Sequence, residues 1–253
     1  MPRYSDTERR RLERGLLPSP LLAGGRLACA TYYRAAQDAG LGGDFLDVVE
    51  RADGSVRAVV GDVMGNGPDE AAMGVQLRVA WRTLVLSGVP DGTVMAILGR
   101  LYLAESRGAA VPGFVTVCDL TLSPRTGSDG WDGTVRLAGH PSPIVRTCES
   151  AEYLPAPAGP PLGVDEPLLP GPPEWPGYSF GLEPDAAVLL YTDGLLDAYA
   201  TDDDLGDVGL VRAAAAQAAA HKSEGDWVLD LLDHAPRRVQ DDTAAVVLSA
   251  VVR

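Results

Sequence analysis

The amino-acid sequence predicts an α+β domain built from packed layers, and three observations carry the prediction. β-prone runs fall in two batches, one before residue 64 and one after residue 113; two helical stretches follow one another between the batches; and strands and helices do not alternate as they would in a wound parallel sheet. Of the 253 residues 46% are hydrophobic and 22% charged, enough apolar content to bury a core, which excludes a disordered or fibrous chain.

Residues 5–17 read as a short helical lead-in carrying Leu12, Leu16 and Leu17, stopped by Pro18 and Pro20. Strands are expected over 27–33, 45–49 and 56–60, with Asp53-Gly54 as a hairpin turn between the last two. The spacing of Ala72, Val75, Val79 and Arg82 predicts a helix over 70–86 with these residues on a mixed face. Val94, Ile97, Leu98 and Leu101 predict a second helix over 93–104. Strands over 114–122, 134–138 and 144–147 are expected to form a meander. The proline-rich stretch 155–184 reads as an irregular excursion, because the apolar strand 186–191 that follows needs the earlier strands as neighbours. Helices over 207–220 and 225–232 and a last strand over 243–251 complete the chain.

Lys and Arg number 21 against 35 Asp and Glu, a net charge of −14. Such a surface repels phosphate backbones and anionic lipid, so neither nucleic acid nor membrane is expected as a partner. No apolar run approaches the roughly 20 residues that span a bilayer, and the polar N-terminus lacks the apolar centre of a signal peptide, so a cytoplasmic location is expected. Cys29, Cys118 and Cys148 are odd in number and widely spaced, with neither a disulfide framework nor a zinc pattern.

Chemistry points to the acids. Asp44, Asp62, Asp193 and the pair Asp241-Asp242 each stand beside glycine or another acid at the end of an expected strand. An Asp next to Gly ordinarily marks a turn. Here, however, Asp62 follows the apolar run 56–60, Asp193 follows 188–191, and Asp241-Asp242 precede 243–248. Carboxylates at the ends of buried strands are costly unless something positive compensates them. Hard divalent cations such as Mg²⁺ and Mn²⁺ are held by carboxylate and carbonyl oxygens converging from separate parts of a chain, and adjacent glycines let the backbone approach.

Seven ordered segments carry a resemblance: Gly42-Gly43-Asp44-Phe45, Gly61 to Gly67 running into Ala71-Ala72-Met73, Phe114-Val115-Thr116, Ala138-Gly139-His140-Pro141, Pro161-Leu162-Gly163, Tyr191-Thr192-Asp193-Gly194-Leu195 and Asp241-Asp242-Thr243. Together, over about residues 16–251, they resemble the bacterial sporulation-phosphatase (SpoIIE-like) branch of the metal-dependent PP2C-type serine/threonine phosphatases. The resemblance implies a PP2C-like four-layer sandwich, two antiparallel β-sheets packed face to face with helices on both outer sides, in a domain over 18–253 behind the lead-in 1–17. It implies two Mn²⁺ or Mg²⁺ ions: Asp62 bridging both, Asp193 and Asp241 holding one, and Asp44 with the Val63 carbonyl facing the other. Asp62 and Asp193 are then the catalytic pair, and Asp242 is a supporting group or occasional ligand.

Two such ions, about 3.5–4 Å apart, activate a water and neutralise charge on a transferring phosphoryl group, so no protein nucleophile is needed. That agrees with the lack of a cysteine phosphatase loop or a histidine triad. Met64 stands two residues after Asp62, where larger relatives carry a histidine. His140 is expected to hold a loop, Asn66 to support a turn, and Asp69 and Glu70 to complement a helix N-terminus. Asp47, three residues from Asp44, falls on the opposite strand face and is expected to be non-catalytic. Gly42-Gly43-Asp44-Phe45 also resembles the GGDEF signature of diguanylate cyclases, but the second acid is missing.

The resemblance further implies a phosphorylated anti-sigma-factor antagonist of the STAS type as substrate in a partner-switching pathway. Two alternatives stand beside it: a catalytically degenerate module that docks a partner, and a hydrolase of small phosphoesters using the same ions. With only residues 5–17 ahead of the domain, control is expected from a separate protein or from a homodimer. The two central helices are implied to switch the metal site, so that Val79→Asp or Leu98→Asp, by breaking their packing, lowers activity more than stability.

Overall fold

The computed structural model describes residues 19–23, 25–35, 42–65, 67–107, 113–164, 171–201, 205–217 and 223–251. The expected helix over 5–17, with the boundary it defines, and the turn residue Asn66 lie outside these.

Among the described residues, eleven strands form two sheets. The first runs β2 (Phe45–Glu50), β3 (Val56–Val63), β4 (Val115–Pro124), β5 (Trp131–Ala138), β8 (Ala158–Gly159), with β9 (Tyr178–Leu182) also paired to β5. The second runs β1 (Leu27–Arg34), β11 (Thr243–Ala250), β10 (Ala187–Tyr191), β6 (Ile144–Arg146), β7 (Ala151–Tyr153). Every pairing between these strands is antiparallel except β5 with β8.

Side-chain alternation sorts each strand into two layers. Leu46, Val48, Ala58, Val60, Leu120, Val135, Val188, Leu190, Val246 and Leu248 meet between the sheets. On the outer face of the first sheet, Phe45, Val49, Val59 and Val117 pack against α1 (Pro68–Leu86) and α2 (Asp91–Glu105). On the outer face of the second, Leu189, Tyr191, Ala245 and Val247 pack against α3 (Asp193–Asp197), α4 (Asp207–Ala216) and α5 (Glu224–Asp233). Strands covered on both faces read as continuous apolar runs, and β10 and β11 do so. The result is the expected four-layer sandwich.

Local chemistry sets the helix ends. Pro68 opens α1, with Asp69 and Glu70 in its first turn, where the dipole favours negative charge. Gly88, at φ +70°, ends the helix in the left-handed conformation that glycine adopts without strain. Ser223 caps α5 by accepting from the Asp226 amide at 3.2 Å. None of the described helices is long and apolar enough to cross a membrane.

Four expectations are corrected. Strand β6 leaves the meander: after β5, Gly139 at φ +61° donates its amide to Gly159 and turns the chain across to the second sheet, where Ile144–Arg146 pairs with β10. The excursion over 155–184 is not wholly irregular, because Tyr178–Leu182 covers the open edge of β5, its alternation hidden among prolines. Neither β7 nor α3 was legible in the sequence. And α1 buries Ala71, Gly74, Leu77, Arg78, Trp81 and Val85, leaving Ala72 exposed and Val79 47% exposed.

That last difference has a physical cause between the first sheet and the helix pair. Asp47 is fully buried under α1, paired with Arg82 and, at 3.5 Å, with Arg78. Arg57, also fully buried, pairs with Asp119 and Asp91 and lies 5.9 Å from the Trp81 ring centre, while Trp81 Nε1 donates to Asp119 at 3.0 Å. Asp91, the first residue of α2, also accepts from Arg51 and from Thr121 Oγ1. Burial pushes its carboxyl up, and the Arg51 and Arg57 guanidiniums outweigh this and hold it below the usual range. A charged seam thus interrupts the apolar stripe that a pattern search expects on α1. Asp47 faces this seam, away from the acids at the strand ends, in keeping with a non-catalytic role.

Candidate metal centre

Antiparallel pairing brings the seven motif segments to one end of the sandwich. Phe45 pairs with Gly61, Asp62 with Thr116, Val117 with Ala138, and Tyr191 with Ala245, so β2 and β11 begin where β3, β5 and β10 end. Leu162 joins the same end by exchanging backbone hydrogen bonds with Val115, at 2.9 and 2.8 Å.

Asp44 lies one step beyond the Phe45–Gly61 pair and so stands opposite Asp62; the two carboxyls hydrogen bond. Both share the even-numbered face of their strands with Leu46, Val60 and the inter-sheet core. From the second sheet, Asp193 follows β10 as the first residue of α3, and Asp241 and Asp242 precede β11. Asp44 and Asp242 are buried, Asp62 is half-buried, and Asp193 and Asp241 are exposed at the rim.

Close backbone approach depends on glycine at four places. A Cβ on Gly42 would run into the Asp242 carboxylate, one on Gly43 would stand 2.5 Å from the Val63 carbonyl oxygen, one on Gly194 would strike the Asp242 carbonyl, and one on Gly74 of α1 would stand 2.8 Å from the Gly43 carbonyl oxygen. These contacts press the Val63 carbonyl and the acid-bearing segments together where a larger residue would hold them apart.

The electrostatics are one-sided. Asp44 is pushed well above the usual carboxylate range by burial first and then by Asp62, with Asp242 and Asp193 adding to it and a Thr192 hydrogen bond opposing it. Burial, followed by Asp193, Asp241 and Asp242, pushes Asp62 up to about 7. Asp193, exposed at the rim by surface area, is raised first by the protein atoms that crowd its carboxyl and strip part of its water, then by Asp241 and Asp197. Among the described residues, the groups that act most strongly on these three acids include no guanidinium or ammonium. Such a cluster is stable in its charged form only with cations among the carboxylates, and an oxygen-only donor set suits hard divalent ions.

Among the described residues no three Asp, Glu, His or Cys side chains group closely enough to hold an ion by themselves. Mg²⁺-type sites do not need such a cage, since these ions keep several waters and bind through one or two carboxylates. The oxygen donors of Asp44, Asp62, the Val63 carbonyl, Asp193 and Asp241 are therefore of the kind that suits hydrated divalent ions.

His140 is 4% exposed and spoken for at both ring nitrogens, with Thr116 Oγ1 at 2.8 Å from Nδ1 and the Tyr191 carbonyl at 3.0 Å from Nε2. It ties the loop after β5 to the strand that leads into Asp193, the structural role expected of it. Burial lowers its pKa to about 4, which keeps the imidazole neutral. Met64 is 47% exposed beside Asp62, its amide donating to Phe114. The thiols of Cys29 and Cys118 are pushed up by burial, so neither is an activated nucleophile.

One residue at the centre, Thr192, escaped a role in the sequence reading, and Asp242 was expected as a supporting group or occasional ligand. Thr192 Oγ1 donates to Asp44 Oδ2 at 2.7 Å, and Asp242 reaches the cluster from beside Gly42. The signal was parity: Thr192 shares its strand face with Val188 and Leu190, and Asp242 with Ala244 and Val246, so both face the space between the sheets.

Comparison with known proteins places this geometry in context. The family model described as Stage II sporulation protein E (SpoIIE) matches residues 52–251. A relative, phosphoserine phosphatase RsbP of Bacillus subtilis (strain 168), is 23% identical over 189 residues, 74% of this chain and 44% of RsbP. Among solved structures, the RsbU and RsbW domains of Rv1364c from Mycobacterium tuberculosis superpose with a TM-score of 0.76 at 27% identity, over 94% of this chain and 63% of that one. The PP2C phosphatase domain of SpoIIE from Bacillus subtilis, solved with a fragment of its regulatory domain, gives a TM-score of 0.70 at 13% identity, over 89% of this chain and 63% of that one. That second likeness speaks for the fold alone. The chain thus spans less than half of RsbP and under two thirds of each of these two structures.

Proposed function

Because the chain belongs to the stage II sporulation protein E family, we propose that it is a metal-dependent phosphatase that hydrolyses phosphoserine or phosphothreonine in a protein. One observation carries the reading: Asp44, Asp62, Asp193, Asp241 and Asp242 converge from both sheets, and within the cluster neighbouring carboxyls raise Asp44, Asp62 and Asp193. Asp62, at the middle, and the pair Asp193 and Asp241 would hold one ion; Asp62 again, with Asp44 and the Val63 carbonyl, would hold the other. Bound there, two Mn²⁺ or Mg²⁺ ions supply a water of lowered pKa and positive charge against the phosphoryl oxygens.

The protein's own part is to orient and to exclude. Gly43 and Gly74 hold the Val63 carbonyl and the Asp44 segment in register, and Gly194 seats Asp193 against the start of β11. His140, neutral and doubly hydrogen bonded, keeps the end of β10 in place and has no free nitrogen for proton transfer. The match to RsbP and the superposition on the RsbU and RsbW domains support a phosphorylated anti-sigma-factor antagonist as substrate.

The test is hydrolysis of p-nitrophenyl phosphate with Mn²⁺, with Mg²⁺ and with chelator, by the wild type and Asp62→Asn, followed by a phosphoserine STAS-type protein. Metal-dependent turnover lost in Asp62→Asn, with preference for the phosphoprotein, is expected. A folded wild type inert on both substrates with either ion refutes the enzymatic reading and leaves a partner-docking module. Turnover of the small ester alone refutes the protein substrate.

A further inference from the structure

We propose that Thr192 is the positioning residue for Asp44: its hydroxyl fixes one carboxylate oxygen and so turns the other toward the cation site. The assignment rests on the metal reading above and adds a residue to it.

The local sequence would predict another use for this hydroxyl. Thr192 stands immediately before α3 with extended backbone, the N-cap position, where a threonine normally accepts a hydrogen bond from an amide of the first turn. Its side chain makes no such bond. Instead the fully buried Oγ1 accepts from the Ala244 amide at 2.8 Å and donates to Asp44 Oδ2 at 2.7 Å. A hydroxyl has one proton to give. With the Ala244 N–H engaging a lone pair and the Ala244 carbonyl distant at 3.4 Å, the Asp44 oxygen is the better acceptor for that proton.

Three consequences follow from the chemistry of this donor. It is neutral, so unlike arginine or lysine it orients the carboxylate without cancelling the charge that a cation needs. It engages Oδ2 alone, leaving Oδ1 as the oxygen that can face the centre. And it spans 148 residues of sequence, from the end of β10 in the second sheet to the start of β2 in the first, where the two halves of the acid cluster meet. The bond is one of the contacts that tie the Asp44–Asp62 side to the Asp193–Asp241 side.

Direct Mn²⁺ titration by calorimetry on the full chain tests the assignment, using wild type, Thr192→Ser, Thr192→Val, Asp44→Asn, Asp62→Asn and the double variant Asp44→Asn/Thr192→Val. Groups that orient a ligand change metal affinity roughly 10–100-fold when removed. Thr192→Val is expected to weaken Mn²⁺ binding by about tenfold or more on that basis. Thr192→Ser, which keeps the hydroxyl, is expected to bind as the wild type does. In the Asp44→Asn background, valine at 192 is expected to add nothing. Should the valine variant not fold, Thr192→Ala carries the same expectation. Wild-type affinity in Thr192→Val, equal weakening by serine and valine, or independent, additive losses in the double variant each overturn the assignment alone. A wild type that binds no Mn²⁺, or binds it no better than Asp62→Asn, overturns the metal reading and this assignment with it.

Discussion

Gly74 and Gly99 occupy comparable interior positions in α1 and α2, and replacing each by alanine should shift stability in opposite directions. Glycine inside a helix costs about 1 kcal/mol relative to alanine, so both substitutions begin with that gain. At Gly99 the nearest atom to a new Cβ is Leu162 Cδ2 at 3.8 Å, an ordinary contact, and the gain should survive. At Gly74 the new methyl would sit 2.8 Å from the Gly43 carbonyl oxygen, a backbone atom that cannot swing aside, and 3.6 Å from Phe45. Overpacking a tight site costs about 1–3 kcal/mol, and a backbone obstacle argues for the upper half of that range, leaving a net loss of about 1–2 kcal/mol. For a domain of this size 1 kcal/mol moves the melting temperature by about 2–4 °C. Calorimetric melts in chelator should therefore show Gly99→Ala raised by about 2–4 °C and Gly74→Ala lowered by about 2–8 °C. The Gly43 carbonyl belongs to the segment that presents Asp44, and displacements near 1 Å in positioning groups cost about 100-fold in rate. A shift of a few tenths of an ångström should cut the kcat/KM of Gly74→Ala by about tenfold on that scale, with Gly99→Ala unchanged. If Gly74→Ala melts above the wild type, or melts lower with full activity and Mn²⁺ affinity, α1 does not hold the Asp44 segment in place.

Arg57→Met should cost about 3–5 kcal/mol in urea unfolding by stranding the buried Asp119 carboxylate, and adding Asp119→Leu should recover much of it; a loss under about 1 kcal/mol would show that the seam is solvated. Val79→Asp should change stability by no more than about 0.5 kcal/mol, since Val79 is exposed, whereas Leu98→Asp places a charge at a fully buried position and should prevent folding under conditions where Val79→Asp is native. The pH dependence of His140 has a definite sign. Its folded pKa, about 4, lies below the ordinary value of 6.5, so between those pH values the unfolded chain binds the extra proton, and its contribution to stability falls as pH drops through that window. The fall amounts to about 3 kcal/mol for a gap of that size. Asp44, Asp62 and Asp193, whose pKa values are raised, act in the opposite direction in chelator, gaining stability as pH falls. The difference between wild type and His140→Gln isolates the histidine, and parallel stability curves from pH 7 to 4.5 would refute it.

The acids were legible in the sequence because each is flanked by glycine or another acid and abuts an apolar run, and both signals are local. Strand positions were legible for the same reason, down to the buried runs of β10 and β11. What stayed hidden depends on partners distant in the chain. Val79 looked like a core position because apolar spacing was the only guide, but the inward face of α1 is shared with Arg78, which answers Asp47 from another element. The crossing of β6 rests on the backbone turn at Gly139, and β9 on the need to cover an open edge. Thr192 carried no role in the sequence, and only its bond to Asp44, from the other sheet, gives it one.

The pairing of β1 with β11 along eight residues, from Leu27 with Ala250 to Arg34 with Thr243, bears on how the protein comes into being. β11 is an interior strand of its sheet, lying between β1, from the opposite end of the described residues, and β10. A chain emerging at about 5–20 residues per second can complete the first sheet and its helix pair while the second sheet still lacks the strand that joins β1 to β10. Until β11 is released, Ala244 is absent to hold Thr192, Asp241 and Asp242 are missing, and the acid cluster has only one half. An intermediate of synthesis that lacks β11 therefore lacks part of the centre. Long-range closure of this kind also favours folding in milliseconds to seconds over microseconds. Competence waits on the docking of this one strand.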